Sequence, residues 1–380
     1  MRAAHPPNPR ISSTLRRLSA LATAVTLALT IGSCTTGKSD DDPVISSLNA
    51  QEADAAKPQD SISDMDNQTL STACGLVTMS TSYVAGGTGS TAKEMATTVA
   101  SRERSTDKFQ WAVSIKPAVA DQERTKYADN AQSAMSENMD RSSTGSAVVS
   151  PDGRYLSLIL LPSEQQSGET AADLRTHIVV LDTKTGKTVR DVTVSGVTLG
   201  QALTNSALAV ETAQNYFPAG SGKGTITTFS LTDTSAQPSS FPTDKWLVGA
   251  TRENLVLAPD LVPDNCFDTC SMTTVSLINT DGSAAGNISR VAAVHPGGWI
   301  HRVADPKSGE QQLVNPSIKK TIDITGKRTF ERDVPTGPGL LVKQEVPTGN
   351  GSTESKPAFW LSSSDDGHPH TENLEQFSVH

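Results

Sequence analysis

The sequence predicts a mainly β protein assembled from repeated four-stranded sheets, and three observations lead there. Strand–turn–strand segments recur down the chain, with their turn residues at Asp182, Asp233, Asn279, Asp323 and Asp365, spaced 51, 46, 44 and 42 residues apart. Aromatic residues are only 4% of the 380, against 27 Gly and 21 Pro, which suits short strands and turns better than packed helices. A period in the forties that holds two hairpins is that of a four-stranded propeller blade. Such a sheet cannot bury both faces alone, so repeats must stack and share their cores. The expected fold is therefore a β-propeller of about five to six four-stranded blades over residues 141–380, preceded by a small N-terminal α+β unit. A β-sandwich with similar turns is the alternative.

Residues 1–33 read as a signal peptide. Arg2, Arg10, Arg16 and Arg17 precede a charge-free apolar run from Leu18 to Ile31, after which small residues lead to Cys34. The run is too short and wrongly flanked to span a membrane. Arg16-Arg17 raises twin-arginine export, but Ser19 and Ala20 follow where that signal has bulkier apolar residues, so the general secretory route is expected. Ile31-Gly32-Ser33-Cys34 resembles the lipobox of bacterial lipoproteins. The resemblance implies cleavage after Ser33 and lipidation of Cys34, hence a cell-membrane anchor on the extracytoplasmic side. Two or more acyl chains hold stably where one does not.

Residues 34–70 then read as a lipidated, acidic, disordered linker. Eight acids (Asp40, Asp41, Asp42, Glu52, Asp54, Asp60, Asp64, Asp66) stand against two lysines and few large apolar residues. Such a segment buries too little to offset its ordering entropy. Residues 71–140 form the expected α+β unit: an apolar run at Leu76–Val84, helical composition over 92–101, an alternating strand at Phe109–Ile115 and a helix over 118–140. A long arm that adds one strand to the main domain is the competing reading.

From 141 the repeats begin. Ser150-Pro151-Asp152-Gly153-Arg154 is a tight turn between strands at Ala147–Val149 and Tyr155–Leu161, and His177–Leu181, Asp182–Lys187 and Val189 form the next strand, turn and strand. Ser150–Leu156 and Val180–Lys187 resemble the quinoprotein-like and WD40-like bacterial β-propellers. The Trp-Asp and Gly-His signatures of WD40 blades are absent, so the resemblance implies architecture and no functional residue. The last repeat nearly reaches His380, so closing the ring calls for an upstream strand, either Phe109–Ile115 or Ala147–Val149.

The formal charge is -9; loss of the four signal-peptide arginines makes it -13. An acidic chain with no basic cluster excludes nucleic-acid binding and electrostatic adhesion to anionic lipid. Cys74, Cys266 and Cys270 remain in an oxidising compartment. Cys266 and Cys270, in a turn-rich segment, are expected to form a local disulfide, and Cys74 a buried thiol. Two pairs of imidazoles, His295 with His301 and His368 with His370, read as exposed loop histidines with no metal; they are weak candidates for a metal site if stacking brings both to one rim.

Gly220–Thr225 lacks the upstream Gly of a phosphate loop and precedes a strand, so it reads as a hairpin loop. No nucleophile elbow is present, and Asp152, Asp182, Asp281 and Asp366 sit in turns. No catalytic residue and no cofactor is therefore expected. The reading is a non-catalytic binding or scaffold lipoprotein whose propeller rim takes a protein, peptide or glycan. The alternatives are a sensor or solute-binding lipoprotein working with a transporter or signalling partner, and a propeller-type hydrolase or oxidoreductase.

Overall fold

The computed structural model describes residues 42–56, 67–83, 95–120, 146–163, 168, 170–214, 224–259, 272–348 and 352–377. Five antiparallel sheets follow one another along the chain. The first contains β1 (Val44–Leu48), β2 (Asn67–Ser71), β3 (Leu76–Tyr83), β4 (Met95–Arg102) and β5 (Phe109–Lys116) in the order β1-β5-β4-β3-β2. A short helix, α1 (Ala50–Ala55), leaves β1. The second sheet is β6 (Ala147–Val149), β7 (Tyr155–Ile159), β8 (Arg175–Asp182) and β9 (Thr188–Ser195). The third is β10 (Val197–Leu203), β11 (Ala207–Ala213), β12 (Gly224–Ser230) and β13 (Ser239–Thr243).

A seven-stranded sheet comes next: β14 (Trp246–Ala250), β15 (Leu255–Ala258), β16 (Thr273–Ile278), β17 (Ala284–His295), β18 (Trp299–Asp305), β19 (Glu310–Asn315) and β20 (Lys320–Asp323). The twelve-residue β17 serves two meanders. Ile288 in its first half pairs with Val275 of β16, and Val294 in its second half pairs with Ile300 of β18. Arg290, at φ 58, bends the strand between them. Three strands end the series: β21 (Lys327–Val334), β22 (Gly337–Pro347) and β23 (Thr353–Ser362). A single antiparallel bridge from Trp360 to His370 supplies a rudimentary fourth. Divided at β17, the five sheets become six successive meanders.

Successive meanders share apolar cores, so that each inner one gives an apolar face to the meander before it and another to the one after it. In the second, β7 and β8 alternate strictly. Leu156, Leu158, Val179 and Leu181 join Val77, Val99, Trp111 and Ile115 of the first sheet. Tyr155, Ile178 and Val180 join Leu203, Leu208, Val210 and Phe229 of the third. Further clusters unite the third with the fourth, the fourth with the fifth and the fifth with the sixth. At about 1.5–3 kcal/mol per fully buried large apolar side chain, these shared cores dominate the favourable side of folding. Among the described residues, no such cluster joins the sixth meander to the first.

Several expectations change. Residues 92–101 read as a helix because of their Ala, Lys and Glu content. The structure makes Met95–Arg102 a strand paired on both sides, and its Thr97, Thr98 and Val99 are β-branched. Residues 67–116 thus supply four of the five strands of the first sheet rather than an α+β unit. Val44–Leu48, expected within a disordered linker, is an edge strand paired with Lys116–Ala112 of β5. After it, Asn49 and Glu52 cap α1 reciprocally, Asn49 Oδ1 accepting from the Glu52 N–H at 3.0 Å and Glu52 Oε2 from the Asn49 N–H at 2.8 Å. Of the helix expected over 118–140, residues 121–140 lie outside the described residues. Val119 bridges Leu160 in extended form. The signal peptide also lies outside them, and no helix among the described residues is long and apolar enough to cross a membrane.

The hairpin turn at Asp182–Lys187 shows how tightly neighbours fit. Trp111 of the first sheet donates its Nε1–H to the Thr183 carbonyl at 2.9 Å. Its ring covers Gly186, whose φ is 68. A Cβ there would stand 2.5 Å from the ring, whereas at Gly309, φ 71, it would meet nothing within 4 Å. Gly186→Ala should cost about 1–3 kcal/mol, from backbone strain and contact together. Gly309→Ala should show only the strain. Urea denaturation of the two variants beside the wild type separates the parts.

Candidate functional site

The first strands of all six meanders border one cavity of about 460 Å³. Gln68–Ser71 come from β2, Val148–Val149 from β6, Leu203 from β10, Ala250 from β14, His295 from β17 and Glu331–Asp333 from β21. Sheet order explains part of this lining: β2, β6, β10, β14 and β21 are all edge strands. Consecutive residues of β2, β6 and β21 line the space, so the strands turn a backbone edge as well as side chains toward it. Backbone N–H and C=O groups on such edges need partners from water or a ligand.

The polar wall lies at the seam between the sixth and first meanders. Thr329, Glu331 and Asp333 share one face of β21 by strand alternation. Ser71 Oγ donates to Asp333, and Arg104 Nε lies 2.7 Å from both oxygens of that carboxylate. Arg104 Nη2 also donates to the Thr72 carbonyl at 2.7 Å. The arginine thus ties β21 to the turn after β2 by a paired, partly buried contact.

His295 is 1% exposed. Its Nε2 lies 3.2 Å from Thr329 Oγ1 and its Nδ1 3.4 Å from Glu331 Oε1. His301 stacks beside it with ring centroids 6.5 Å apart, its Nε2 3.0 Å from Gln311 Oε1. Burial and the neighbouring His295 lower the His301 pKa to about 4. The other pair is used differently. His370 lies flat on Trp360, centroids 3.9 Å apart. Its ring nitrogens are each 2.7 Å from a carboxylate, Asp365 and Glu372. Burial alone would lower its pKa, but the two carboxylates outweigh that and hold it above the ordinary value. His368 meets His370 edge-on at 5.7 Å.

The candidate metal site is therefore not assembled, and His295 and His301 are buried rather than exposed loop histidines. Each histidine pair is engaged within its own meander or with its neighbour. Among the described residues, no group of three or more His, Cys, Asp or Glu is placed to hold an ion. Cys34, Cys266 and Cys270 lie outside the described residues. Cys74 is a free, half-buried thiol rather than a buried one, beside the Gln110 amide, which donates to its carbonyl at 2.9 Å. Residues 220–223 also lie outside the described residues, and Gly224 opens β12. Sequence reasoning missed Ser71, Arg104, Glu331 and Asp333. Arg104 and Asp333 are 229 residues apart, and no local pattern marks either.

No protein-family model matches the sequence, and no curated protein matches it. Among solved structures, the acylaminoacyl peptidase of Pyrococcus horikoshii aligns over 76% of this chain and 51% of its own, at 11% identity and a TM-score of 0.34. The β-propeller domain of the Trilobed protease from Pyrococcus furiosus aligns over 80% of this chain and 98% of its own, at 10% identity and a TM-score of 0.34. TolB from Acinetobacter baumannii aligns over 80% and 79%, at 10% identity and a TM-score of 0.27. This chain spans about half the length of the acylaminoacyl peptidase. Likenesses this distant identify neither a family nor an activity.

The two histidine environments make opposite demands on pH. His301 is buried neutral, so as pH falls below 6.5 the unfolded chain takes up a proton that the folded one refuses until about 4. Stability should fall across that window by roughly 3 kcal/mol, from the size of the shift. Urea unfolding at about pH 7 and about pH 4.5 measures it, and His301→Gln should flatten the slope. His370 contributes stability that is fully present below pH 6.5 and lost as pH rises through its raised value. Its ring proton resonances in an NMR titration should show a midpoint above 6.5, reduced by Asp365→Asn or Glu372→Gln.

Proposed function

We propose that this chain is a membrane-anchored extracytoplasmic lipoprotein, and that its six meanders are the blades of a β-propeller serving as a non-catalytic binding or scaffold surface. The observation that carries the binding role is the common cavity of the six first strands. Its hydroxyls hold the wall together: Ser71 donates to Asp333, and Ser150 donates to Asp152 at 2.6 Å while accepting from the Tyr155 N–H at 2.9 Å. Groups so committed suit positioning better than nucleophilic attack. A cavity of that size also favours the second reading, a solute-binding or sensor lipoprotein acting with a transporter or signalling partner.

The anchor rests on Ile31-Gly32-Ser33-Cys34. Because Val44 already belongs to the first sheet, only nine residues separate Cys34 from the folded body. At most about 3.3–3.6 Å each, they reach roughly 30 Å. The body is held near the bilayer, not on a long stalk. Cys34→Ala should abolish the acyl mass and the cleavage after Ser33, and should move the protein out of the membrane fraction. A variant that still fractionates with membranes and is processed normally would overturn the anchor.

A further inference from the structure

The chain after β23 does not add a full fourth strand to the last meander. His370 alone returns to the β23 edge, its N–H donating to the Trp360 carbonyl and its carbonyl accepting from the Trp360 N–H, each at 2.9 Å. Its ring lies flat on the Trp360 indole, whose Nε1–H donates to the Glu372 carbonyl at 3.0 Å. Beyond it one short helical turn, Leu374–Phe377, sets Leu374 and Phe377 against Val334, Leu341 and Trp360. The root of the segment is fixed separately. Arg252 Nη2 donates to the Ser363 carbonyl at 2.8 Å and to the Asp365 carbonyl. Gly367, at φ 76, is packed so closely that a Cβ there would stand 2.8 Å from Ile318 and 3.0 Å from Trp299.

The part beyond that root is organised about one ring. His370 Nε2 is 2.7 Å from Asp365 Oδ2, and Nδ1 is 2.7 Å from Glu372 Oε1. A carboxylate only accepts, and a neutral imidazole carries one N–H. The neutral ring would therefore turn a lone pair toward one carboxylate, whereas the imidazolium donates to both. Around it stand His368, edge-on at 5.7 Å, and the exposed Asp366 and Glu375 of the same segment. Arg252 comes from the β14–β15 turn. From the sheet beneath come Arg332, on the Phe330 and Val334 face of β21, and Lys343, 5.3 Å over the Phe330 ring. We propose that residues 368–377 form a proton-dependent strap over the edge of β23, closed while His370 is charged between Asp365 and Glu372 and released when the ring loses its proton. Burial disfavours the charged ring, but the two carboxylates outweigh it and raise the pKa. The strap is therefore closed below the ordinary histidine value and opens as pH rises through the raised one. None of the five cores shared between meanders includes a strap residue, so release is local. It frees the Trp360 N–H and C=O and uncovers a face of its indole, independently of what the cavity binds.

The test is hydrogen exchange read by mass spectrometry on the full-length protein in detergent, from about pH 6 to about pH 9, with rates corrected for the intrinsic pH dependence of amide exchange. Across that range the peptides covering 368–377 and the Trp360 end of β23 should lose about tenfold in protection, while β7, β8, β11 and β15 keep theirs. His370→Gln, neutral throughout, should leave the strap open at both ends of the range and abolish its pH dependence. Glu372→Gln, at an exposed position, should keep the transition and move its midpoint to lower pH. Thermal melts establish that both variants are folded, and the wild-type profile tests the strap without any substitution. Equal strap protection at both ends of the range would overturn the inference. So would a transition that persists in His370→Gln, or one in which β7 and β8 lose protection along with the strap.

Discussion

A four-stranded sheet with apolar side chains on both faces has no stable existence alone in water. Its two faces must be covered by two neighbours, and those neighbours face the same demand. In this chain the demand is met five times by shared apolar cores, from Val77 and Leu158 at the first junction to Leu313 and Leu361 at the fifth. The sixth junction is different. Asp333 of β21 meets Arg104 and Ser71 of the first sheet through a partly buried ion pair and hydrogen bonds. The arrangement of the first strands around one cavity draws on that polar seam, which holds β21 against the turn after β2.

The position of the cavity follows from this. Five of the six first strands sit at sheet edges, and all six converge, so their backbones and side chains border one space. The polar seam makes one wall of it charged while the remaining junctions make the others apolar. A site of mixed character thus arises from how the first and last sheets meet, without any local sequence motif to announce it. The histidines show the same separation between presence and use: His295 enters the wall, whereas His370 is fixed on Trp360 between two carboxylates and fastens the C-terminal segment.

Much of the fold was legible. The Asp182–Lys187 turn, the Ser150–Arg154 turn and the recurring spacing between Asp182 and Asp365 identify the repeated sheets, because turn chemistry is local. What was not legible depended on partners far along the chain. Met95–Arg102 is buried on both faces, so it lacks the alternation that marks a half-exposed strand, and its Ala content suggested a helix. Val44–Leu48 is five residues long between acidic flanks, and its pairing with β5 lies about seventy residues away. The reciprocal cap of Asn49 and Glu52 was a readable sign of order there. The site residues Arg104, in the turn between β4 and β5, and Glu331 and Asp333, in β21, had no such sign, since a charge in a turn or strand is ordinarily a solvated one.

The central claim is that the first and last meanders are neighbours, joined through Asp333. Hydrogen exchange read by mass spectrometry tests it directly, comparing wild type with Asp333→Ala. Loosening the seam should raise exchange together in β2–β4 of the first sheet and in β21–β22 of the last, while β7, β8, β11 and β15 keep their protection. Faster exchange confined to β21, with the first sheet unchanged, would contradict the account.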